Sequence, residues 1–322
     1  MFIKPCFYDK FICKADKCTD TCCAGWEIDI DKAYYEYYMS LKGPFADEIK
    51  KGINIVDGQP CFKLCSDERC HFLQEDGLCR IYSVLGEEAL CDVCSEHPRF
   101  YDEYDTVTEA GLGLCCEKVC ELIQETEKLD FIYEDESENL DEDISVLLDI
   151  REKCFEIINS DCDFAYKVKM LLDYSEKVQT ECFDFSANAF QFADKKSAID
   201  FVLDLYRKTD PINDKWTDYI KNLFDNRDLI LDIAYEPDCA LYEKLIVYII
   251  YRHFMKCRFD GCIAAVVRFA VCAVVFFYLC SCYCFAKKGC VEKDDITDIV
   301  KRWSQQIEYS EENVDLCLTI LN

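Results

Sequence analysis

The stretch "CHFLQEDGLCRIYSVLGEEALCDVCSEHPRF", residues 70–100, carries Cys70, Cys79, Cys91 and Cys94 in a region that lacks any long periodic apolar segment. Its Cys91-x2-Cys94 spacing makes a turn whose two sulfurs can face one ion. Asp76-Gly77 is a turn signal that can fold Cys70 and Cys79 toward each other. Upstream, "CTDTCC" contributes Cys18, Cys22 and Cys23 as a C-x3-C-C turn. Thiolates ligate zinc or iron–sulfur clusters, and a site gathers about four of them in a rigid local geometry. Read outward from this stretch, the first third of the chain is expected to be an irregular, cysteine-rich, metal-binding region.

The composition agrees with that expectation. The 322 residues include 26 cysteines, and the start, "MFIKPCFYDKFICKADKC", has no uninterrupted apolar run of the signal-peptide kind, so a reducing cytoplasm is expected. In that compartment dense cysteine points to metal ligation or redox work rather than to structural disulfides. Fourteen cysteines fall within the first 120 residues; the other twelve lie mostly in apolar runs, where a thiol packs as a small hydrophobe. A formal charge of −28 argues against nucleic acid and anionic membrane surfaces as partners and is compatible with a cationic or lysine-bearing one.

The acidic run "EDESENLDED", residues 134–143, divides the sequence into a cysteine-rich region, 1–133, and a helical bundle, 144–322. Before it, a helix is predicted from Lys32 to about Leu41, with Asp31 as N-cap and Gly43-Pro44 as stop, and another from near Cys116. After it, segments such as "ISVLLDIREKCFEIIN" and "ALYEKLIVYIIYRHFMK" space their apolar residues by three and four, which predicts seven to nine helices and no strands. The uncharged stretch 269–286 is long enough to approach a membrane span, but its amphipathic neighbours favour a buried central helix. The expected fold class is therefore mainly α.

Several of these stretches carry a family resemblance. "TCCAGWEIDID", "CHFLQEDGLCRIY" and "LCDVCSEHPRF" resemble the zinc- or iron-chelating cysteine domain named for its CxxCxxCC motif, and more closely the flagellin lysine-N-methylases. "YRHFMKCRFDG" and "DIVKRWSQQIEYSEENVD" resemble that family's C-terminal segments. The resemblance implies an enzyme that methylates lysine ε-amines of flagellin with S-adenosylmethionine and carries a [4Fe-4S] cluster. The family motifs fall on Cys18, Cys22, Cys23, Cys70, Cys79, Cys91 and Cys94, and Cys116 falls where a further family cysteine begins a helix. The residues alone say only that a polythiolate site precedes a helical bundle, which a non-catalytic zinc- or iron-chelating protein with a partner-docking domain would also satisfy. Extra cysteines (Cys6, Cys13, Cys61, Cys65, Cys115 and Cys120) leave open which four share one cluster and whether there are two sites.

Other residues suggest narrower roles. Arg99 is a candidate ligand for a cofactor carboxylate, because a guanidinium binds carboxylates bidentately. His97, three residues after Cys94, has a spacing that a mixed zinc site could use. In "VTEAGLGLCCEK", Gly111 and Gly113 outline an incomplete nucleotide-binding turn, for which an ordinary helix entry is the simpler reading. The tyrosines of "KAYYEYYMS" are expected on a helix surface. No residue is assigned as catalytic.

Overall fold

The computed structural model describes residues 1–134, 140–183, 186–188 and 190–322. Among these, seven strands all lie in the first 134 residues: β1 Phe2–Pro5, β2 Ile28–Asp29, β3 Ile53–Val56, β4 Gln59–Phe62, β5 Arg99–Tyr104, β6 Val107–Leu112 and β7 Phe131–Glu134. They correct the expectation of an irregular N-terminal region. The reason for the miss is physical: runs of two to six residues give period-two alternation too little length, and β1 pairs with partners more than a hundred residues away. The mainly helical class holds.

The chain forms two compact units, one comprising Phe11–Phe100 with Cys116–Lys118 and the other Met1–Lys10, Tyr101–Cys115 and Val119–Asn322. None of the four junctions between them falls in the acidic run at 134–143. Residues 135–139 of that run lie outside the described residues, while Glu134 closes β7 and Asp141 caps the helix that follows.

In the first unit, β2, β4 and β3 form an antiparallel sheet in that order. The β3–β4 hairpin turns on Asp57 and Gly58, both at positive φ, the backbone that matches the twist of a two-residue hairpin. Four helices accompany it: α1 Lys32–Ser40, α2 Pro44–Lys51, α3 Arg80–Leu85 and α4 Asp92–Glu96. Asp31 caps α1 as predicted, accepting from Tyr34 N at 2.9 Å; its other oxygen accepts from Asp92 N at 3.1 Å and so anchors the start of α4. Pro44 stops α1 by opening α2 at its first turn, where a missing N–H costs nothing. Ile28, Ile30, Tyr38, Ile49, Phe62, Phe72 and Ile81 form the apolar centre, joined by Cys70 and Cys91. The Tyr38 hydroxyl donates to Ala89 O at 2.7 Å, so this tyrosine is core, and Tyr34 likewise donates to Glu88 O.

The second unit contains a four-stranded sheet ordered β5-β6-β1-β7, with β1 parallel to β6 and antiparallel to β7. Its helices are α5 Glu117–Glu125, α6 Glu142–Ile158, α7 Phe164–Phe183, α8 Lys195–Arg207, α9 Asp214–Asp225, α10 Arg227–Asp232, α11 Cys239–His253, α12 Cys257–Asp260, α13 Ile263–Lys288, α14 Lys293–Ile307 and α15 Glu311–Leu321. The first residues of α5 belong to the other unit. Helix α13 is the hub, packing against α7, α8, α11, α14 and α15. It is apolar on every side because it is covered on every side: 89% of its apolar window is buried. Arg268 sits inside it, fully buried, and its two terminal nitrogens donate to Glu176 at 2.8 Å, Asn188 O at 2.6 Å and Leu321 O at 2.7 Å. Gly289, left-handed at φ +79°, ends it by returning its N–H to Phe285 O.

Candidate functional site

The thiols predicted as ligands lie in the first unit and occupy the ends of short elements. Cys70 N donates to Cys23 O at 2.8 Å, which brings the "TCC" turn beside the hairpin of the opening stretch. That hairpin closes through Gln74 N to Leu78 O at 2.9 Å, with Gly77 at φ +82°, as the Asp76-Gly77 signal predicts. Cys79 is the N-cap of α3 and Cys91 that of α4, with Cys94 inside α4. Helix N-termini present unpaired N–H groups and the positive end of the dipole, an environment that favours thiolate.

Two groupings follow from how the thiols sense one another. Cys70, Cys79 and Cys94 all lie within electrostatic reach of Cys23, and Cys91 is hydrogen-bonded to Cys94. Cys13, Cys18 and Cys116 form a second neighbourhood around Cys22. Burial pushes the Cys70 thiol up to about 12 against a backbone N–H of Phe72, and raises Cys79 against the N–H groups of Ile81 and Tyr82. Burial, followed by the nearby Glu117 carboxylate, lifts Cys18 to about 11. Hydrogen bonds from their partners hold Cys23 and Cys91 below the ordinary thiol range, so one sulfur of each pair is the readier thiolate. Glu117 is itself fixed by Lys14 at 2.5 Å and by the Thr19 hydroxyl at 2.7 Å.

Among the described residues none of the 26 cysteines forms a disulfide, and no group of three or more His, Cys, Asp and Glu side chains is arranged to hold a metal ion as it stands. In kind, the donors suit a soft metal or an iron–sulfur cluster. Cys23, Cys70, Cys79, Cys91 and Cys94 crowd an apolar centre, and backbone N–H groups are directed at several of the sulfurs. The thiols that burial raises, Cys18, Cys70 and Cys79, stay protonated without a cation, and a cation is what would release those protons.

The remaining candidates have surroundings of their own. His97 faces Trp26 with ring centroids 6.1 Å apart, and burial lowers its pKa to about 4, so it is a neutral imidazole. The Arg99 guanidinium lies over the Phe11 ring at 5.4 Å. Cys61 is buried in β4, Cys65 is exposed, and Cys115 and Cys120 belong to the other unit. The Gly111–Gly113 turn does join a strand to a helix, β6 to α5. However, β6 and β7 run in opposite directions on either side of β1, so the β6-α5-β7 connection is not the parallel crossover of the dinucleotide-binding kind. The helix entry is the ordinary one.

A second polar cluster, absent from the sequence expectations, lies in the helical unit. Glu308, in the turn between α14 and α15, has a side chain with no exposed surface and sits 2.9 Å from His253 Nε2 and 3.5 Å from Arg252 Nε. Burial would raise its carboxyl, but Arg252 and His253 outweigh burial and hold it below the ordinary range. The Arg252 guanidinium in turn lies 5.5 Å from the centre of the Tyr309 ring. Both stretches noted for their C-terminal resemblance, "YRHFMKCRFDG" and "DIVKRWSQQIEYSEENVD", therefore meet here. Arg252 and His253 ending an apolar helix run were the only signal the sequence offered.

Comparison with known proteins bears on this unit. The profile of the FliB lysine N-methylase C-terminal domain matches residues 109–322. The chain belongs to that family. The lysine-N-methylases of Salmonella typhimurium and Salmonella choleraesuis are each 34% identical over 124 residues, covering 36% of this chain and 30% of each relative. The flagellar biosynthetic protein FliU of Salmonella muenchen is 34% identical over 124 residues, 72% of its own length. The match thus spans under a third of the curated lysine-N-methylases. No solved structure matches the chain.

Proposed function

We propose that this chain is a protein-lysine N-methyltransferase acting on flagellin, working in the cytoplasm with S-adenosylmethionine as methyl donor and carrying an iron–sulfur cluster. The observation that carries this reading is family membership across residues 109–322, supported by relatives named for lysine methylation and for the flagellum. The cluster would be held by thiols drawn from Cys23, Cys70, Cys79, Cys91 and Cys94, with Cys18, Cys22 and Cys116 in the neighbouring group; zinc is the alternative occupant. S-adenosylmethionine would bring a methyl group on an activated sulfonium, for which Arg99 remains the proposed carboxylate ligand.

What the chain's own residues must do is bind lysine, strip its proton and exclude water. A lysine amine has a pKa of about 10.4 in water and attacks a methyl group only when neutral. The test is incubation of anaerobically purified protein with labelled S-adenosylmethionine and flagellin. Label on lysine, lost together with visible absorbance in Cys94→Ala, is the expected result. Bound metal with no label on lysine would instead establish the chelating, non-catalytic reading that the thiol cluster alone also fits.

A further inference from the structure

We propose that Cys13, Cys18, Cys22 and Cys116 form a second thiolate site, distinct from the group around Cys23, that takes a zinc-like divalent cation and is assembled by the buried carboxylate of Glu117. This goes beyond the single cluster proposed above, and it holds whether or not the chain transfers methyl groups.

The first argument is how the thiols are gathered. All of them lie in one unit, since Cys116–Lys118 belong with Phe11–Phe100. Glu117 is 6% exposed. One of its oxygens accepts from Lys14 Nζ at 2.5 Å, and the other from Thr19 N at 3.0 Å and Thr19 Oγ1 at 2.7 Å. Lys14 follows Cys13, Thr19 follows Cys18 and Glu117 follows Cys116, so one carboxylate ties three cysteine-bearing segments together, although Thr19 and Glu117 are 98 residues apart in sequence. Between the first two, the turn at Ala15–Lys17 closes with Cys18 N donating to Ala15 O at 3.3 Å, and Ala15 N is directed at Cys13 Sγ at 3.4 Å. A backbone N–H aimed at sulfur is the contact that metal-bound thiolates receive. Cys22 lies within electrostatic reach of Cys13 and Cys116, as Cys18 does.

The second argument separates this group from the other. The Cys22 and Cys23 thiols are hydrogen-bonded, so the two groups adjoin there, but their remaining neighbours differ. Cys23 packs on the apolar centre with Cys70, Cys79, Cys91 and Cys94. Cys13 and Cys22 are exposed, and Cys18 and Cys116 half-buried, so the second group is reached from solvent.

The chemistry follows from which atoms are still available. Both oxygens of Glu117 already accept from donors, which makes it a positioning residue and leaves the sulfurs as ligands. Four thiolates around one ion is a geometry that structural zinc adopts. The thiols are not arranged around an ion as they stand. What the fold supplies is their gathering; the last adjustment is rotation of each thiol about χ1, which a cation drives as each sulfur that binds it gives its proton to water. No electron moves in this step.

The experiment takes the full-length protein, purified anaerobically and washed with a mild chelator, measures metal per chain, and then titrates cobalt(II), whose visible absorption reports bound thiolate. Wild type is compared with Cys18→Ser, Cys116→Ser, Glu117→Gln and Cys94→Ala. Wild type is expected to retain one divalent ion beyond whatever the Cys94 group holds. Cys18→Ser and Cys116→Ser should lose that ion and its cobalt signal while keeping the other occupant, and Cys94→Ala should do the reverse. Glu117→Gln leaves every sulfur in place and should bind cobalt about 10–100-fold more weakly. Should Glu117→Gln fail to fold, the two serine variants carry the test alone. Wild-type metal content in Cys18→Ser and Cys116→Ser would overturn the inference, and so would loss of one and the same occupant in these variants and in Cys94→Ala. A wild type that holds the Cys18-dependent ion yet places no methyl on lysine would leave the inference standing and remove the methyltransferase reading instead.

Discussion

In the unit built on Phe11–Phe100 the polar atoms drawn into the apolar centre are mostly sulfurs, and burial holds Cys70 and Cys79 among them protonated. In the helical unit they are charges already matched: Glu109 with Arg151 at 2.5 Å, Lys167 with Glu243 at 2.7 Å, Arg268 with Glu176 and Glu308 with Arg252. A core of neutral thiols can gain stability later, from a ligand. A core of paired charges has much to lose when one member goes.

The largest effect is expected where that pairing is tightest. The Arg151 and Glu109 side chains are 1% and 3% exposed, and the guanidinium also lies 5.2 Å from the Tyr251 ring. Glu109→Gln should cost about 3–5 kcal/mol in urea unfolding by leaving a buried cation behind. The double variant Glu109→Leu/Arg151→Met should recover most of that loss. If the single variant proves as stable as wild type, the charges are not matched in the sense argued.

Next comes His97, which tests the neutral character of the thiol-bearing unit. Its pKa is about 4 folded against 6.5 unfolded, so between these values the unfolded chain binds a proton that the folded chain refuses. The contribution of His97 is complete above pH 6.5 and declines as pH falls through that window, by at most about 3 kcal/mol. Urea midpoints measured at about pH 7 and about pH 5 should converge in His97→Gln relative to wild type. An unchanged pH dependence would show that the imidazole is not held neutral by burial.

The smallest effect belongs to Asp31, whose two oxygens each serve a helix start. Asp31→Ala should cost about 1–2 kcal/mol and raise hydrogen exchange at the amides of Tyr34 and Asp92. Because α4 carries Cys91 and Cys94, the same variant should also weaken metal retention if the thiols are ligands. Retention equal to wild type would separate the cap from the ligand set.

How legible these features were in the sequence depended on how local their causes are. Asp31 and Gly43-Pro44 announced α1 within a residue, and Cys116 announced α5, because caps are written beside the helices they bound. The long helices after the acidic run showed their spacing, and the uncharged stretch 269–286 was recognised as the buried centre of α13. The strands stayed hidden: β2 is two residues long, and β1 takes its partners from residues 108–109 and 131–134. Sequence singled out the thiols as candidates but could not separate Cys22 from Cys23, which stand side by side yet face different neighbours. Glu308 looked like one more acid in a chain that has 64 Asp and Glu residues; only the fold turns it inward against Arg252.

The chain enters the four-stranded sheet with β1, leaves it at Lys10 for ninety residues, and returns through β5 and β6 before β1 can be flanked. During synthesis, the whole cysteine-bearing excursion must therefore have emerged from the ribosome before the sheet that brackets it can close. Folding confined to residues 11–100 can therefore begin while β1 still lacks its sheet neighbours.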